Sequence, residues 1–331
     1  MKPLRVGVWG VGVWGEKHAR VYASLPEAQL AGVFDRDAAK AAAVAAHHGT
    51  CAFGTADELL AACEAVSIAV PTVAHRAAAE QAAAAGVHAL VEKPMAVTLP
   101  EADAMLEAAR RAGTVLQVGH VERFNPALAA VRPAIGRVRF VEAHRLALFQ
   151  PRSLDIDVVF DLMIHDLDIV LQAIGALPVL VSAVGVAVLS GNEDIANARL
   201  EFADGCVANL TASRVSQERL RRIRFFQEDS YLSIDLFEKR CDHLSLDRSL
   251  LTSATAHPLQ LAAAIRKHEI TVAAAEPLTL ELTAVLRSLG GDGEGAASGS
   301  AGRDALAVAE AVRAGMKQRA RQWAIPQSAA S

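Results

Sequence analysis

Aromatic side chains are scarce in this sequence, where Phe, Trp and Tyr together make up 5% of the 331 residues. An excess of one charge is also missing, because 33 Lys and Arg residues are matched by 37 Asp and Glu residues, for a net charge of -4. The chain therefore lacks both the stacking residues and the basic surface that nucleic-acid binding requires. It also lacks an uninterrupted apolar run of the roughly 20 residues that span a membrane. Strand-like residues begin at Leu4, so we expect no leader peptide and a cytoplasmic protein without nucleic-acid or membrane partners.

Cysteine is rare as well. The four cysteines are far apart and form no C-x-x-C pair: Cys51, Cys63, Cys206 and Cys241. Such spacing indicates neither a zinc site nor a disulfide framework. We expect reduced thiols and no bound metal. Apolar residues, by contrast, make up 52% of the chain, which is enough for two packed domains.

Apolar runs alternate with alanine-rich segments of helical length in the first 120 residues. The runs are LRVGVW, QLAGVF, CAF, AVSIAV, HALVE and TVLQVG. Gly49, Gly86 and Gly113 each follow a helical segment, at a position that often requires a positive φ. Strands that alternate with helices predict βαβ units and a parallel sheet, which we assign to a first domain over residues 1–120.

The pattern changes after residue 120. Longer strand-like runs follow, including RVRFVEAHRLALF and RRIRFFQEDSYLSIDLF, and the Asp204–Gly205 pair is a hairpin turn signal between two others. A mixed or antiparallel sheet fits this second domain, residues 121–331. Near its end lies a Gly- and Ser-rich segment, GGDGEGAASGSAG, for which we predict a mobile surface loop or linker.

A glycine motif follows the first strand-like run. Gly10, Gly12 and Gly15 form G-x-G-x-x-G, which closes a tight turn, admits a pyrophosphate and lets a helix pack on a strand. The N-terminus of that helix offers N–H groups to the phosphates. Asp35 lies at the end of the second run, twenty positions after Gly15, where its carboxylate would accept hydrogen bonds from an adenosine ribose. Together these features predict a dinucleotide site.

The residues around this motif also bear on which dinucleotide binds. Val11 and Trp14 belong to the glycine turn and are further candidate contacts. The Asp35 carboxylate would repel a 2′-phosphate, which favours NAD(H). Arg36 keeps NADP(H) as the alternative, because its guanidinium would stack on adenine or pair with a phosphate.

Two charged residues stand at the end of the fifth run, in the segment VEKPMAVTL. By count of the strands, Glu92 and Lys93 lie at the carboxyl end of the sheet, where open α/β sheets bind ligands. An ammonium there would polarise a sugar hydroxyl or carbonyl oxygen while hydride moves, and Pro94 would set the direction of the backbone. A surface Lys93 paired with Glu92 is the equally weighted alternative.

The segment DVVFDLMIHDLDIV holds a second pair. Asp161 and His165 are four residues apart, so on a helix they share a face and the carboxylate would orient the imidazole as a general base. A solvated Asp–His pair is the alternative and the commoner arrangement. A metal site is a third interpretation, which we discount because the nearby acids would point around the helix rather than converge. Those acids are Asp155, Asp157, Asp166 and Asp168.

Taken in order, these residues resemble the GFO/IDH/MocA family of sugar and polyol oxidoreductases. The resemblance rests on GVGVWGEKHARVY, Asp35, VPTVAH, AGVHALVEKP, GHVERFNP and D-x-x-x-H at Asp161 and His165. It implies a Rossmann domain followed by an α/β domain whose open, mostly antiparallel sheet often forms an oligomer interface. A dimer or tetramer is therefore expected. It further implies catalytic roles for Lys93, Asp161 and His165, and contacts to the cofactor from Val70, Pro71, Thr72, His75, Glu92 and Lys93.

The segments VGHVERFNPALAAV and FDLMIHDLDIVLQAIG look most like the branch of this family that oxidises C3 of UDP-N-acetylglucosamine. The resemblance thus implies a sugar or nucleotide-sugar substrate, which Lys93 and His165 would also contact. Further candidates for polar substrate groups are His120, Arg123 and Asn125, and candidates for a diphosphate are Arg145 and Arg152. Three alternatives stay open: a non-catalytic dinucleotide sensor, a reductase or isomerase-like enzyme that keeps its nicotinamide bound through a redox cycle, and a dehydrogenase of another substrate class, such as inositol.

Overall fold

Alternating strands and helices form the first part of the chain in a computed structural model that describes residues 3–150, 156–250, 263–291 and 296–324. Its elements run as follows: β1 Leu4–Trp9, α1 Val13–Ser24, β2 Ala28–Phe34, α2 Ala38–His48, β3 Cys51–Ala52, α3 Ala56–Ala62, β4 Ala65–Ile68, α4 His75–Ala84, β5 His88–Glu92, α5 Leu99–Ala112 and β6 Leu116–Gly119. Each predicted apolar run contains a strand. Gly49, Gly86 and Gly113 adopt the predicted positive φ values of 63°, 72° and 67°.

Within the described residues, seven strands form the first sheet in the order β15–β6–β5–β4–β1–β2–β3, where β15 spans Ala297–Ser298. All neighbours are parallel except β15, which pairs antiparallel with β6. The order 3-2-1-4-5-6 of the parallel strands is that of a dinucleotide-binding Rossmann sheet. This confirms the predicted Rossmann fold of the N-terminal part of the chain.

Both faces of the central strand β1 are packed. Val6 and Val8 are buried in a core built from α1, α2 and a later helix, α8, which spans Pro277–Leu289. Gly7 points to the opposite face because side chains alternate along a strand. An added Cβ at Gly7 would lie 2.8 Å from Leu59 Cδ1 of α3. Helices therefore cover both faces of the sheet, as in a doubly wound fold.

The later part of the chain forms a second sheet. Its elements, with the last helix, are α6 Pro126–Val131, β7 Val138–Leu146, a π-helical turn at Val159–Met163, α7 Ile164–Ile174, β8 Leu180–Val186, β9 Ile195–Glu201, β10 Val207–Ser213, β11 Leu220–Gln227, β12 Ser230–Asp235, β13 Arg240–Leu246, β14 Ile265–His268 and α9 Gly299–Ala324. Eight described strands are ordered β14–β13–β12–β11–β7–β10–β9–β8. Only β7 and β10 run parallel within this described sheet. The predicted mostly antiparallel sheet and the turn at Asp204–Gly205 are thus confirmed.

The two faces of this second sheet differ. Val141, Ile223 and Phe225 are fully buried on one face. On the other face, Glu142 and Arg224 form an ion pair of 2.9 Å and keep about a third of their side-chain surface exposed. An open face of this kind suits the predicted homo-oligomer, which stays a prediction.

The chain divides into two compact units. The first contains Met1–Phe124 and Ala275–Leu306, and the second contains Asn125–Ala274 and Ala307–Ser331. Residues 275–306 thus pack with the N-terminal unit, whereas the sequence alone placed them with the second domain. The predicted functional boundary at residue 120 stays a prediction.

Part of the predicted mobile loop near the C-terminus, residues 292–295, lies outside the described residues. The rest of it is ordered, which corrects the prediction: Ala297–Ser298 form β15, and α9 begins at Gly299. The glycines there serve close packing. A Cβ at Gly299 would lie 2.6 Å from Leu106 Cδ2, and one at Gly302 would overlap the side chain of Val118.

The cysteines are all free, and burial raises the pKa of the Cys63 thiol to about 11. Across the described ranges, no group of His, Cys, Asp and Glu side chains is arranged to hold a metal ion. Among the helices of those ranges, none has both the length and the apolar character needed to cross a membrane.

We predict that Gly302→Ala destabilises the protein by about 2 kcal/mol, the upper end of the overpacking cost less the gain in helix propensity. Alanine gains about 1 kcal/mol over glycine inside a helix, but overpacking a filled core costs about 1–3 kcal/mol. The new Cβ would lie 2.9 Å from Val118 Cβ. Because Val118 is fully buried, its side chain has no room to move away. Urea unfolding checks this.

The matched control for this substitution is Gly191→Ala. An added Cβ at Gly191 has no neighbour within 4 Å among the described residues, so the free energy of unfolding should change by less than about 0.5 kcal/mol. Equal stability of the Gly302→Ala protein and the wild type would contradict the packing role.

Candidate active site

The three glycines of the motif have three different surroundings. Gly10 has a φ of 89°, a backbone conformation that residues with a side chain rarely adopt. An added Cβ at Gly12 would meet nothing within 4 Å, which leaves its backbone open to a ligand. At Gly15, inside α1, a Cβ would overlap the carbonyl oxygen of Gly10 and lie 2.8 Å from its carbonyl carbon. The motif therefore closes a turn, admits a ligand and seats a helix, in that order.

Helix α1 begins at this turn without a side-chain cap, because Gly12 is its N-cap residue. Its first backbone N–H groups are thus left for an anion, and the helix dipole favours negative charge there. A cleft of about 790 Å³ lies beside the turn. Its walls include Gly10, Gly12, Trp14, Asp35, Arg36, Val70 and Pro71. The glycine turn, the N-terminus of α1 and the Asp35 carboxylate after β2 together fit a dinucleotide.

Asp35 is braced by the backbone on both sides. Its Oδ2 accepts a hydrogen bond of 2.7 Å from Val11 N, and its Oδ1 accepts one of 2.9 Å from Asp37 N. The carboxylate is thereby fixed next to the glycine turn. Arg36 and Lys40 are exposed on the wall of the same cleft. This wall presents both the acid that suits a ribose and the cations that suit a phosphate.

His75 has a different role from the one predicted. It is 1% exposed, with Nε2 2.9 Å from Val70 O and Nδ1 3.0 Å from Pro94 O. Burial lowers its pKa although these carbonyl oxygens favour the cation. The side chain joins the loop after β4 to the loop after β5, and both ring nitrogens face the backbone. We therefore correct its assignment from a cofactor contact to a residue that positions the two loops. Thr72 lies in the 3₁₀ turn before it.

The Glu-Lys-Pro segment begins at the end of β5, as predicted. Glu92 is the last residue of that strand, opposite Gly119 of β6, and Lys93 follows it half-buried. Glu92 Oε1 lies 3.0 Å from Nε2 of His18, a fully buried residue of α1. The helix that starts at the glycine turn is thus tied to the strand that ends at Lys93.

Asp161 and His165 share an accessible face. Between residues 157 and 170, all of which are described, they are the only two residues that are not buried. Asp161 lies in the π-helical turn and His165 in the first turn of α7. Short π segments inside helices are frequent at functional sites. The two predicted side chains therefore lie on one half-buried strip of an otherwise fully buried segment.

Arg145 lies next to this strip and is buried in an ion pair. Its guanidinium makes a bidentate pair with Asp166, with Nε–Oδ2 at 2.9 Å and Nη2–Oδ1 at 2.7 Å, and both side chains are at most 4% exposed. The pair anchors α7 to β7 one residue after His165. This buried pair gives Arg145 a structural role, and its predicted contact with a diphosphate stays a prediction.

A second buried pair lies on the same unit. Asp194 Oδ1 accepts a hydrogen bond of 2.8 Å from Arg214 Nε, and its Oδ2 accepts from the backbone of Val188, Leu189 and Ser190. Burial alone would raise the pKa of Asp194, but the Arg214 guanidinium and these donors hold it well below its usual range. Arg214 also donates to Ile156 O at 2.8 Å, next to the π-helical turn.

Asp161 lines a cavity of about 170 Å³ in the second unit, together with Arg214, Arg219 and Arg221. Much of the rest of the wall comes from Leu146 at the end of β7, Leu148 two residues after it and Phe237 after β12. The cavity thus joins one candidate catalytic carboxylate to three guanidinium groups.

The remaining predicted substrate contacts have different outcomes. Asn125 is 3% exposed; its Oδ1 caps α6 at Ala127 N and its Nδ2 donates to Leu236 O at 2.8 Å. We therefore correct Asn125 from a substrate contact to a structural cap. His120 is buried and Arg123 is half-buried in the first unit, and both stay predictions. Arg152 lies outside the described residues.

Comparisons with known proteins identify the family. Residues 4–120 match the family model GFO_IDH_MocA, described as an oxidoreductase family with an NAD-binding Rossmann fold. Residues 131–232 match the GFO/IDH/MocA C-terminal domain. The chain is 51% identical over 233 residues to UDP-N-acetylglucosamine 3-dehydrogenase of Acidithiobacillus ferrooxidans. The aligned residues make up 70% of this chain and 74% of that protein.

The chain belongs to the GFO/IDH/MocA oxidoreductase family. A solved structure of UDP-N-acetylglucosamine 3-dehydrogenase from Acidithiobacillus ferrooxidans has a TM-score of 0.88 at 42% identity and covers 96% of this chain and 99% of that chain. Inositol 2-dehydrogenase of Rhizobium meliloti is 31% identical over 228 residues, 64% of this chain and 69% of that protein. This GFO/IDH/MocA protein is therefore an NAD-dependent oxidoreductase rather than a non-catalytic sensor.

Sequence reasoning missed two features of this family member. His18 follows Gly15 by three residues, so a G-x-G-x-x-G-x-x-H spacing would have placed it on the inner face of α1. The cavity arginines had a weaker signal, a local excess of arginine in SRVSQERLRR, which leads into the start of β11. Only the fold shows that three of these arginines line one cavity.

We predict that Gly12→Ala and Gly15→Ala separate binding from folding. The Gly12 variant should unfold at the wild-type midpoint but bind NAD at least tenfold more weakly, because its new methyl points into the open cradle. The Gly15 variant should lose roughly 1–3 kcal/mol of stability, because its methyl has no space. Thermal unfolding and calorimetric titration with NAD measure the two effects. Wild-type affinity in the Gly12 variant would contradict the cradle.

Asp194 should make stability depend on pH. Its folded pKa lies below the unfolded value, so its contribution is complete above the unfolded value of about 3.9 and is lost as the pH falls toward the folded pKa. At pH 7, Asp194→Asn should cost about 3–5 kcal/mol because Arg214 stays buried without its anion. The difference from the wild type should shrink below about pH 4.

The control for this experiment is Asp242→Asn, which removes an exposed carboxylate paired with Lys267 at 3.1 Å. That change should cost less than about 1 kcal/mol. Urea unfolding from pH 7 to pH 3 measures all three proteins. A gap between wild type and Asp194→Asn that stays constant to pH 3 would contradict the linkage.

Proposed function

We propose that this protein oxidises a secondary hydroxyl of a nucleotide sugar, with C3 of UDP-N-acetylglucosamine as the substrate position. The observation that carries the proposal is that Asp161 and His165 are half-buried and share one strip of an otherwise fully buried segment. A buried helix has no packing reason to leave an acid and an imidazole accessible one turn apart. The named activity of the 51% identical relative supports the choice of substrate.

Each proposed catalytic residue has a separate task. His165 removes the proton from the substrate hydroxyl, and Asp161 orients its imidazole and stabilises the cation that forms. Lys93 stabilises the negative charge that develops on the substrate oxygen. Gly10, Gly12, Gly15 and Asp35 would hold the dinucleotide. When bound, NAD⁺ supplies the hydride acceptor.

We predict that Lys93→Ala, Asp161→Asn and His165→Ala each lower kcat by about 10²–10⁴-fold, the range for loss of a positioned proton-transfer group. Absorbance of the reduced nicotinamide reports turnover of UDP-N-acetylglucosamine, with myo-inositol and free N-acetylglucosamine as comparison substrates. NAD affinity should stay within about twofold for Asp161→Asn and His165→Ala, because neither residue belongs to the cradle.

The matched control is His47→Ala, an exposed imidazole at the end of α2. It should leave turnover unchanged. Turnover of myo-inositol but not of the nucleotide sugar would overturn the proposed substrate. Wild-type rates in all three catalytic variants would overturn the assigned roles.

A further inference from the structure

The cavity beside Asp161 has an excess of positive charge among its described lining residues. Three guanidinium groups, of Arg214, Arg219 and Arg221, face it together with the Asp161 carboxylate. The buried Asp194 neutralises Arg214 and holds it in place. The described lining residues of the cavity thus include three guanidinium groups and one carboxylate, a balance that favours an anion.

The three arginines differ in exposure and in how they are held. Arg214 is 4% exposed and is fixed by Asp194, by Ser190 Oγ at 3.0 Å and by Ile156 O. Arg221 lies on β11, where its neighbour across the sheet on β7 is Arg145, and it is half-buried. Arg219 precedes β11 and is exposed at the mouth of the cavity. A hydrogen-bonded guanidinium in the wall and an exposed one at the mouth suit an anion that enters and leaves.

Substrate chemistry connects this cavity to the reaction. In a nucleoside-diphosphate sugar the diphosphate is bonded to C1 of the ring that carries the C3 hydroxyl. The diphosphate must therefore lie within one sugar ring of the groups that act on C3. A cavity that Asp161 itself lines meets this condition. Guanidinium groups match phosphate oxygens with paired N–H donors, which a free sugar or polyol would leave unused.

We propose that Arg219 and Arg221 bind the diphosphate of the substrate and thereby select nucleoside-diphosphate sugars over free sugars and polyols. This inference rests on the proposed function and adds the residues that determine specificity. Neither arginine takes part in proton transfer. Their loss should therefore raise KM for the nucleotide sugar far more than it lowers kcat.

The test uses the full chain saturated with NAD, so that the dinucleotide cradle is filled. Arg219→Ala, Arg219→Lys and Arg221→Gln are compared with the wild type in turnover of UDP-N-acetylglucosamine and in calorimetric titration with UDP and with uridine. Arg219→Ala and Arg221→Gln should each raise KM and weaken UDP binding by about tenfold or more, the effect of a lost charge-assisted hydrogen bond. Arg219→Lys should recover part of the loss. Uridine, which has no phosphate, should bind all proteins alike.

The matched control is Arg139→Ala. Arg139 lies on β7 but seven residues before Leu146, which is roughly 23 Å away at 3.3 Å per residue. It should keep the wild-type KM and UDP affinity. Because Arg219 is exposed, its replacement should leave the fold intact, which the thermal unfolding midpoint verifies.

Two results would overturn the inference, and they are distinguishable. If the wild type oxidises UDP-N-acetylglucosamine and both arginine variants keep its KM and UDP affinity, the diphosphate role is wrong and the proposed function stands. If the NAD-loaded wild type neither binds UDP nor oxidises the nucleotide sugar, both proposals are wrong.

Discussion

The contact between Gly15 and Gly10 is the constraint on which the first unit depends. Helix α1 lies so close to the end of β1 that a Cβ at Gly15 would overlap the carbonyl oxygen of Gly10. Only this approach places the uncapped helix N-terminus beside the cleft. One helical turn further, His18 reaches Glu92 at 3.0 Å, so the position of α1 also fixes the end of β5. His75 adds a second brace between neighbouring loops.

Buried ion pairs play the corresponding part in the second unit. The Arg145–Asp166 pair anchors α7. The Arg214–Asp194 pair secures the loop before β9, and Arg214 also holds the backbone at Ile156. A buried pair adds little stability over an apolar pair of the same shape, but breaking one is costly. Its effect here is therefore geometric. The two pairs hold the helical segment so that Asp161 and His165 stay on its accessible strip.

Several residues have roles that their type alone does not reveal. The segment from Gly290 to Gly302 has a linker composition, yet Gly299 and Gly302 lack side chains because Leu106 and Val118 occupy that space. Asn125 caps a helix, although its polar amide would equally suit a substrate. In each case the neighbours come from distant parts of the chain. Local composition therefore predicted flexibility or binding where packing decided otherwise.

The sequence by itself determined the strands and helices of the first unit, the glycine cradle, Asp35 and the spacing of Asp161 and His165. These are signals of local periodicity and turn chemistry, which act over a few residues. Tertiary structure alone decided that His18 meets Glu92 across 74 residues and Arg214 meets Asp194 across 20. It also decided which arginines line the cavity beside Asp161. Burial and charge pairing depend on which surfaces face each other, and no local pattern encodes that.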